Sequence, residues 1–450
     1  MTVQPLAARF RDHRSTFDAL VPADLLVDEL TQREESGYDL TGVRAEVEAV
    51  DLGDRDAVLA LLDRLSDLPR RPDWAHDEPD ALEAIEAAAA GATARPYDRA
   101  GAAYAERLHA AWLGRIAGCN IGKPVEDGDH WTPAHLRDYL ERADAYPLAD
   151  YVPALEPMPE GFLFRDNWPE TTRGRVNGSA RDDDIDYAIL ALHLLETHGA
   201  GYTTEQVGAA WLRLFPVLQT YTAERAAYLN LTDGVPVPAT ASYRNPYREW
   251  IGAQIRADVF GWVHPGDPTA AARLAYPDAR LSHTGNGIYG ELWSAALNAA
   301  AFVAADAAEA LEIALGVVPE RSRLHDVLTG VTALHERGLD WEQALEALHA
   351  EHGHYAWIHT LNNAAAVAAA LLWSEDWMGA VGKVVMSGWD TDSNGATVGS
   401  VAGVLYGREG LPAHVVDPLH DRTRSALFGF DHSVISDLAD RTVAVARRIG

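Results

Sequence analysis

From Tyr104 to Gly450 the chain repeats one pattern: long apolar, alanine-rich segments separated by Pro/Gly/Asp loops, with few β-branched runs of alternating polarity. A sheet needs a two-residue period, and these segments lack one, so the pattern predicts an all-α domain. Gly395, Gly399, Gly403 and Gly407 recur every four residues, which draws a smooth stripe along one helix face. Glycine inside a helix costs about 1 kcal/mol relative to alanine. The stripe therefore predicts a neighbouring helix at close approach, and Gly407 also suits a C-terminal cap. No fixed-period repeat is present.

The first hundred residues follow a different plan. Asp54 is placed to cap a helix in which Val58, Leu61, Leu62 and Leu65 share one face, closed before Pro69. A break around Pro72 and Pro79, an alanine-rich helix from Asp80 and a linker-like Gly91–Pro96 come next. This divides the chain into a helical accessory segment, 1–97, and a main domain, 98–450. The net charge of -30 argues against nucleic acid or an anionic membrane as partner and leaves small molecules or proteins. The oligomeric state stays open. Arginine and alanine are abundant while Lys123 and Lys383 are the only lysines, which suggests a coding bias. Cys119 stands alone, the N-terminus Met1–Asp12 has no apolar secretion core, and the glycine-rich stretch 395–406 is too short for a bilayer. The expectation is a cytoplasmic protein.

Two acidic clusters carry the chemistry. In Ala180–Asp186, Asp182, Asp183 and Asp184 precede a face made by Ile185, Ala188, Ile189, Leu192 and Leu195. They would occupy the first turn of a core helix, where the dipole favours carboxylates. One Asp there is an ordinary cap; three in a row exceed that need. The second cluster, Gly388–Gly395, places Asp390, Asp392 and Ser393 at the head of the glycine-striped helix. It matches the opening of an EF-hand loop, but the twelfth position is Val401 where a bidentate Glu is required. Crowded carboxylates beside apolar sequence need a cation, and all-oxygen donors favour Mg²⁺, Mn²⁺ or Ca²⁺ over zinc. His352, His354 and His359 lack the second ligand cluster that a zinc site requires.

A third element, Gly114–Glu126, ends an apolar helix with glycines and sets Glu126 just after Pro124. In this order the three elements resemble the ADP-ribosylglycohydrolase family, whose members carry an early Gly-rich segment ending in Pro-x-Glu, a central Thr-Asp-Asp-Thr and a late Gly-Gly-Asp-Thr-Asp-Thr. The resemblance runs over about residues 104–410. It implies an orthogonal multi-helix fold and two Mg²⁺ ions, with Mn²⁺ as substitute, held by Asp182, Asp183, Asp184, Asp390, Asp392 and Ser393. Asp392 is the expected bridging ligand, and Glu126 matches the acidic residue implicated in catalysis. Asp182 and Ile185 stand where the family has its two central Thr residues; Trp389 and Ser393 replace a Gly and a Thr.

The resemblance also implies a glycohydrolase acting on an ADP-ribosylated protein or small molecule, or on a simpler riboside. Arg256 lies in a segment partly similar to the family's Gly-Ala-Ala-Met-Arg. Ser282–Gly290 resembles its His-containing loop and makes His283, Gly285, Asn286, Gly287 and Tyr289 candidate substrate contacts, because backbone N–H groups, a hydroxyl and an aromatic face suit ribose or phosphate. Against this stand structural roles for His283 and core roles for Tyr289 and Trp262. Two other functions fit parts of the sequence. A catalytically silent binding or structural protein would keep the same scaffold, and a terpene synthase would use the aspartate-rich helix to hold diphosphate through Mg²⁺, but no Glu follows Ser393 at the spacing its second motif needs.

Overall fold

Two long helices, Ala102–Gly122 and Thr391–Gly410, cross at the centre of the molecule because their glycines admit backbone against backbone. In the computed structural model, which describes residues 20–165 and 168–449, a methyl at Gly395 would run into the Gly118 carbonyl, one at Gly399 into Gly114 and one at Gly403 into Ala110. The relation is mutual, since Gly114, Gly118 and Gly122 abut Gly399, Gly395 and Thr391. The helices run antiparallel, so the C-terminal end of the first meets the N-terminal end of the second. Gly407 breaks the second helix with φ 66°.

Most of the remaining helices build one apolar core around this pair. Helix Asp183–His198 buries Ile185, Ala188, Ile189, Leu192 and Leu195. Arg115, fully buried, donates to the Asp184 carbonyl at 2.6 Å and to Asp258 Oδ2 at 2.5 Å, tying that helix to the crossing. Among the described residues, strands are confined to the pair Arg422–Thr423 and Ser433–Val434. The fold is all-α, and no described helix is long and apolar enough to cross a membrane.

Residues 20–68 form a small layer with an apolar cluster of their own. Asp54 Oδ1 accepts from Ala57 N, and helix Arg55–Ser66 buries Val58, Leu61, Leu62 and Leu65 against Leu25, Leu26 and Leu30 of helix Pro22–Glu35. Ala223 and Tyr247 of the main body close this cluster. The alanine-rich helix spans Leu82–Ala88. The linker-like stretch is pinned, with Gly91 N donating to Gly316 O at 2.8 Å and Arg95 N to Gly266 O at 2.7 Å. Beneath the layer runs a buried ionic seam: Arg248 meets Glu29 at 2.7 Å, and Arg323 meets Glu78 at 2.9 Å and Glu249 at 2.7 Å. The N-terminal stretch Met1–Asp12, on which the expectation about secretion rests, lies outside the described residues.

Candidate active site

The antiparallel crossing delivers Lys123 and Glu126 to the head of helix Thr391–Gly410. Thr391 Oγ1 locks the junction by donating to the Gly122 carbonyl at 2.9 Å. Asn363 Oδ1 accepts from Asp390 N at 3.2 Å and from Asn394 Nδ2 at 2.6 Å, which fixes the Asp390–Asn394 turn. Trp389 has φ 61°, the left-handed region where glycine is at ease and a bulky residue is not. Its burial and its stacking on His349, with ring centroids 4.0 Å apart, hold it there. Asp182 caps its helix by accepting from Asp184 N at 3.0 Å. The loop before it is held by Asn120, which donates to Ser179 Oγ at 2.8 Å and accepts from Ala180 N at 3.1 Å.

These segments converge on one ammonium. Lys123 Nζ lies 2.6 Å from Glu126 Oε2, 2.7 Å from Asp182 Oδ2 and 2.7 Å from Asp392 Oδ2. Around it are two overlapping groups with ligand atoms within 4.8 Å of one another: Asp182, Asp184 and Asp392 with Cys119, and Glu126 and Asp390 with Asp392. Asp392 belongs to both. Ser393 Oγ donates to Asp184 Oδ2 at 3.1 Å. Asp183, half-buried, faces the adjoining cavity. Asp186, the fourth carboxylate of its cluster, turns away to Arg181 at 2.8 Å and accepts from Ser425 Oγ at 2.6 Å.

Burial and mutual repulsion dominate the electrostatics. Burial, then Asp182 and Asp392, push the Asp184 carboxyl well above its usual range; burial, then Asp392 and Glu126, do the same to Asp390. Asp183 is raised to about 7 by burial and by Asp182, and Glu126 to about 7 by burial and by Asp392. Burial works against ionised Asp182 too, but the Lys123 ammonium outweighs it and the carboxyl falls below its ordinary value. Asp184 Oδ1 and Asp392 Oδ1 are buried with no hydrogen-bond partner among the described residues. Surplus carboxylates, a neighbouring hydroxyl and unpartnered buried oxygens fit a hard divalent cation. The Cys119 thiol is pushed well up by burial and by Asp182, so it stays protonated and is a poor ligand.

A cavity of about 580 Å³ opens over the carboxylates. Tyr221, Trp250 and Trp357 supply aromatic wall, Arg165 reaches Glu126 Oε2 at 3.5 Å, and Asp24, Thr31 and Glu35 of helix Pro22–Glu35 form part of the rim. The sequence shows none of this wall, since its members meet only through folding.

The expected substrate contacts lie elsewhere, and among the described residues none of the six lines this cavity. Arg256 stands behind the wall, 1% exposed, paired with Glu224 at 2.6 Å and Asp278 at 2.5 Å. His283 is fully buried with Nδ1 against Ser282 Oγ at 2.8 Å. Three of the other four serve the N-terminal segment. Gly285 N donates to Asp80 Oδ1, Asn286 Nδ2 to Glu78 Oε1, and Tyr289 OH to the Pro79 carbonyl, while Gly287 packs against the Arg248 carbonyl and His283. Trp262 is fully buried and hydrogen-bonded to Asn298 Oδ1 at 3.0 Å.

A family model of ADP-ribosylglycohydrolases matches residues 100–449. Among solved structures, one described as an ADP-ribosylglycohydrolase-related protein complex aligns with 77% of this chain and 99% of its own, at 18% identity and a TM-score of 0.48. No curated protein matches the chain.

Proposed function

The chain belongs to the ADP-ribosylglycohydrolase family, and on that premise we propose that it is a divalent-metal-dependent hydrolase cleaving the N- or O-glycosidic bond of an ADP-ribosylated protein or small molecule, or of a related riboside. The observation that carries this reading is the convergence of Glu126, Asp182, Asp184, Asp390 and Asp392 within two groups that share Asp392, at the floor of a cavity large enough for a sugar and its leaving group. Asp182, Asp183, Asp184, Asp390, Asp392 and Ser393 are the residues we assign to the metal, and Mg²⁺ or Mn²⁺ is the ion their oxygens favour. When bound, such an ion polarises water and holds ribose hydroxyls.

The chain's own residues do the rest. Glycosidic cleavage passes through a transition state with positive charge on the sugar, and a carboxylate-rich floor opposes that charge favourably. Glu126 lines the cavity and is oriented by two cations, Lys123 and Arg165, that both engage Oε2. Oε1 is then the oxygen available to take a proton from the attacking water as its oxygen bonds to C1, and that proton passes on to the leaving group as the glycosidic bond breaks. Tyr221, Trp250 and Trp357 offer ring faces to sugar or base, and the cavity walls limit competing water.

The test is incubation of purified protein with ADP-ribosyl-arginine, ADP-ribosyl-serine and plain N-ribosides, with Mg²⁺ and then with EDTA, reading released sugars by mass spectrometry. ADP-ribose release that EDTA abolishes, and that Asp392→Asn lowers by about 10³-fold, an order typical of losing one preorganised electrostatic contact, is the expected result. Ribose alone would redirect the substrate to simple ribosides. No release from any of them, with metal bound, would replace the hydrolase by a silent scaffold.

A further inference from the structure

We propose that Lys123 is a built-in cation standing in for one of the two divalent ions, so that the carboxylate cluster admits a single metal ion. The inference rests on the metal-dependent reading above but concerns stoichiometry, which is measured without substrate.

Lys123 Nζ donates hydrogen bonds to Glu126 Oε2 at 2.6 Å and Asp392 Oδ2 at 2.7 Å, and forms an ion pair with Asp182 Oδ2 at 2.7 Å, so one carboxylate comes to it from each converging segment. The three oxygens, Glu126 Oε2, Asp182 Oδ2 and Asp392 Oδ2, come from both carboxylate groups, so the ammonium sits between them. Ions in two-metal sites stand about 3.5–4 Å apart and share a bridging carboxylate; Mg²⁺ draws its oxygens in to about 2.0–2.1 Å. Oxygens already gathered around an ammonium at hydrogen-bond distance cannot also surround an ion at that place, and a fixed positive charge repels a second cation beside it.

The two oxygens of Asp392 divide the labour. Oδ2 is taken by Lys123, while Oδ1 is buried, without a hydrogen-bond partner among the described residues, and in the same group as Asp184, whose Oδ1 likewise accepts no hydrogen bond and has only Arg115 at 3.8 Å. Ser393 Oγ touches the other oxygen of Asp184. That leaves Asp392 Oδ1 and Asp184 Oδ1, members of one group, for a metal, while the ammonium engages Asp392 through Oδ2. Lys123 is enclosed at this place: its side chain is 13% exposed.

Mn²⁺ titration followed by calorimetry, native mass spectrometry and electron paramagnetic resonance tests this. The unaltered chain should bind one Mn²⁺ and give the six-line spectrum of an isolated ion. Lys123→Met should bind two, with an exchange-coupled spectrum, and Lys123→Arg, which keeps the charge, should stay at one. Two ions in the unaltered chain overturn the proposal outright, without recourse to any variant. So does a folded Lys123→Met that still takes only one. ADP-ribose release by a two-ion chain would remove this inference and leave the activity; one ion without any release would do the reverse.

Discussion

The protein buries two acid-rich interiors a short way apart, and they settle their charge in opposite ways. Under the N-terminal layer, Glu29, Glu78 and Glu249 meet Arg33, Arg248 and Arg323 in direct hydrogen bonds. Burial raises each carboxyl there, but the arginines prevail and all three fall below their ordinary values. At the cavity floor six carboxylates, Glu126, Asp182, Asp183, Asp184, Asp390 and Asp392, share Lys123 with partial help from Arg115 and Arg165. Most of those carboxyls rise. Matched charge is structural; surplus charge is a place for a ligand. Burial acts on both in the same sense, and in these two places the supply of cations decides which way the carboxyls move.

The widest separation should come from Arg323→Ala. Removing one partner of a buried ion pair costs about 3–5 kcal/mol because the other charge is stranded, and here both Glu78 and Glu249 would be. Chemical denaturation should show that loss, with early proteolysis within residues 20–98; a loss under about 1 kcal/mol would mean the seam is not charge-matched. A smaller contrast comes from metal. Mn²⁺ at a hundredfold excess over Kd should stabilise the chain by about 2.7 kcal/mol, read as a rise in Tm that EDTA reverses. Asp184→Asn should abolish that rise, and in EDTA it should melt no lower than the unaltered chain, since it relieves repulsion. If Asp184→Asn without metal were markedly less stable, the surplus-charge account would fail.

The smallest effect concerns pH. His359 is fully buried beside the seam, its Nδ1 accepting from Leu361 N at 3.2 Å. Burial holds its pKa down from 6.5 to about 3. The unfolded chain therefore binds the proton first as pH falls, so this contribution to stability is full above about 6.5 and is lost progressively from there toward about 3. Between pH 6.5 and 5 the loss should be roughly 1.5–2 kcal/mol. His359→Asn, which keeps an acceptor at the cap, should flatten that segment of the stability profile; an unchanged slope would assign it to other groups.

Much of the architecture was legible because it depends on local spacing. The apolar face from Ile185 to Leu195, the Asp54 cap and the stripe from Gly395 to Gly403 are helix-period signals, and the helices formed where those signals stand. The reciprocal stripe Gly114, Gly118 and Gly122 was equally visible, yet it gains meaning only against its partner. The loop Ser282–Gly290 shows the limit. Its polar groups read as a cradle for sugar, but they are taken by Glu78, Pro79 and Asp80, some two hundred residues upstream. A sequence displays donors and acceptors; folding decides what satisfies them. Arg256 makes the same point, an apparent substrate contact committed to Glu224 and Asp278.

The antiparallel glycine crossing also acts as a registration mark between distant parts of the chain. One inserted residue in either helix turns everything beyond it by about 100° and shifts it by about 1.5 Å, which would part Lys123 and Glu126 from Asp392 even with every motif residue intact. The spacing from Ala110 to Glu126 and that from Asp390 to Gly403 are therefore coupled: length changes are tolerated in the loops, and a methyl at Gly403, about 16 Å along its helix from Asp392, would be felt at the carboxylate floor.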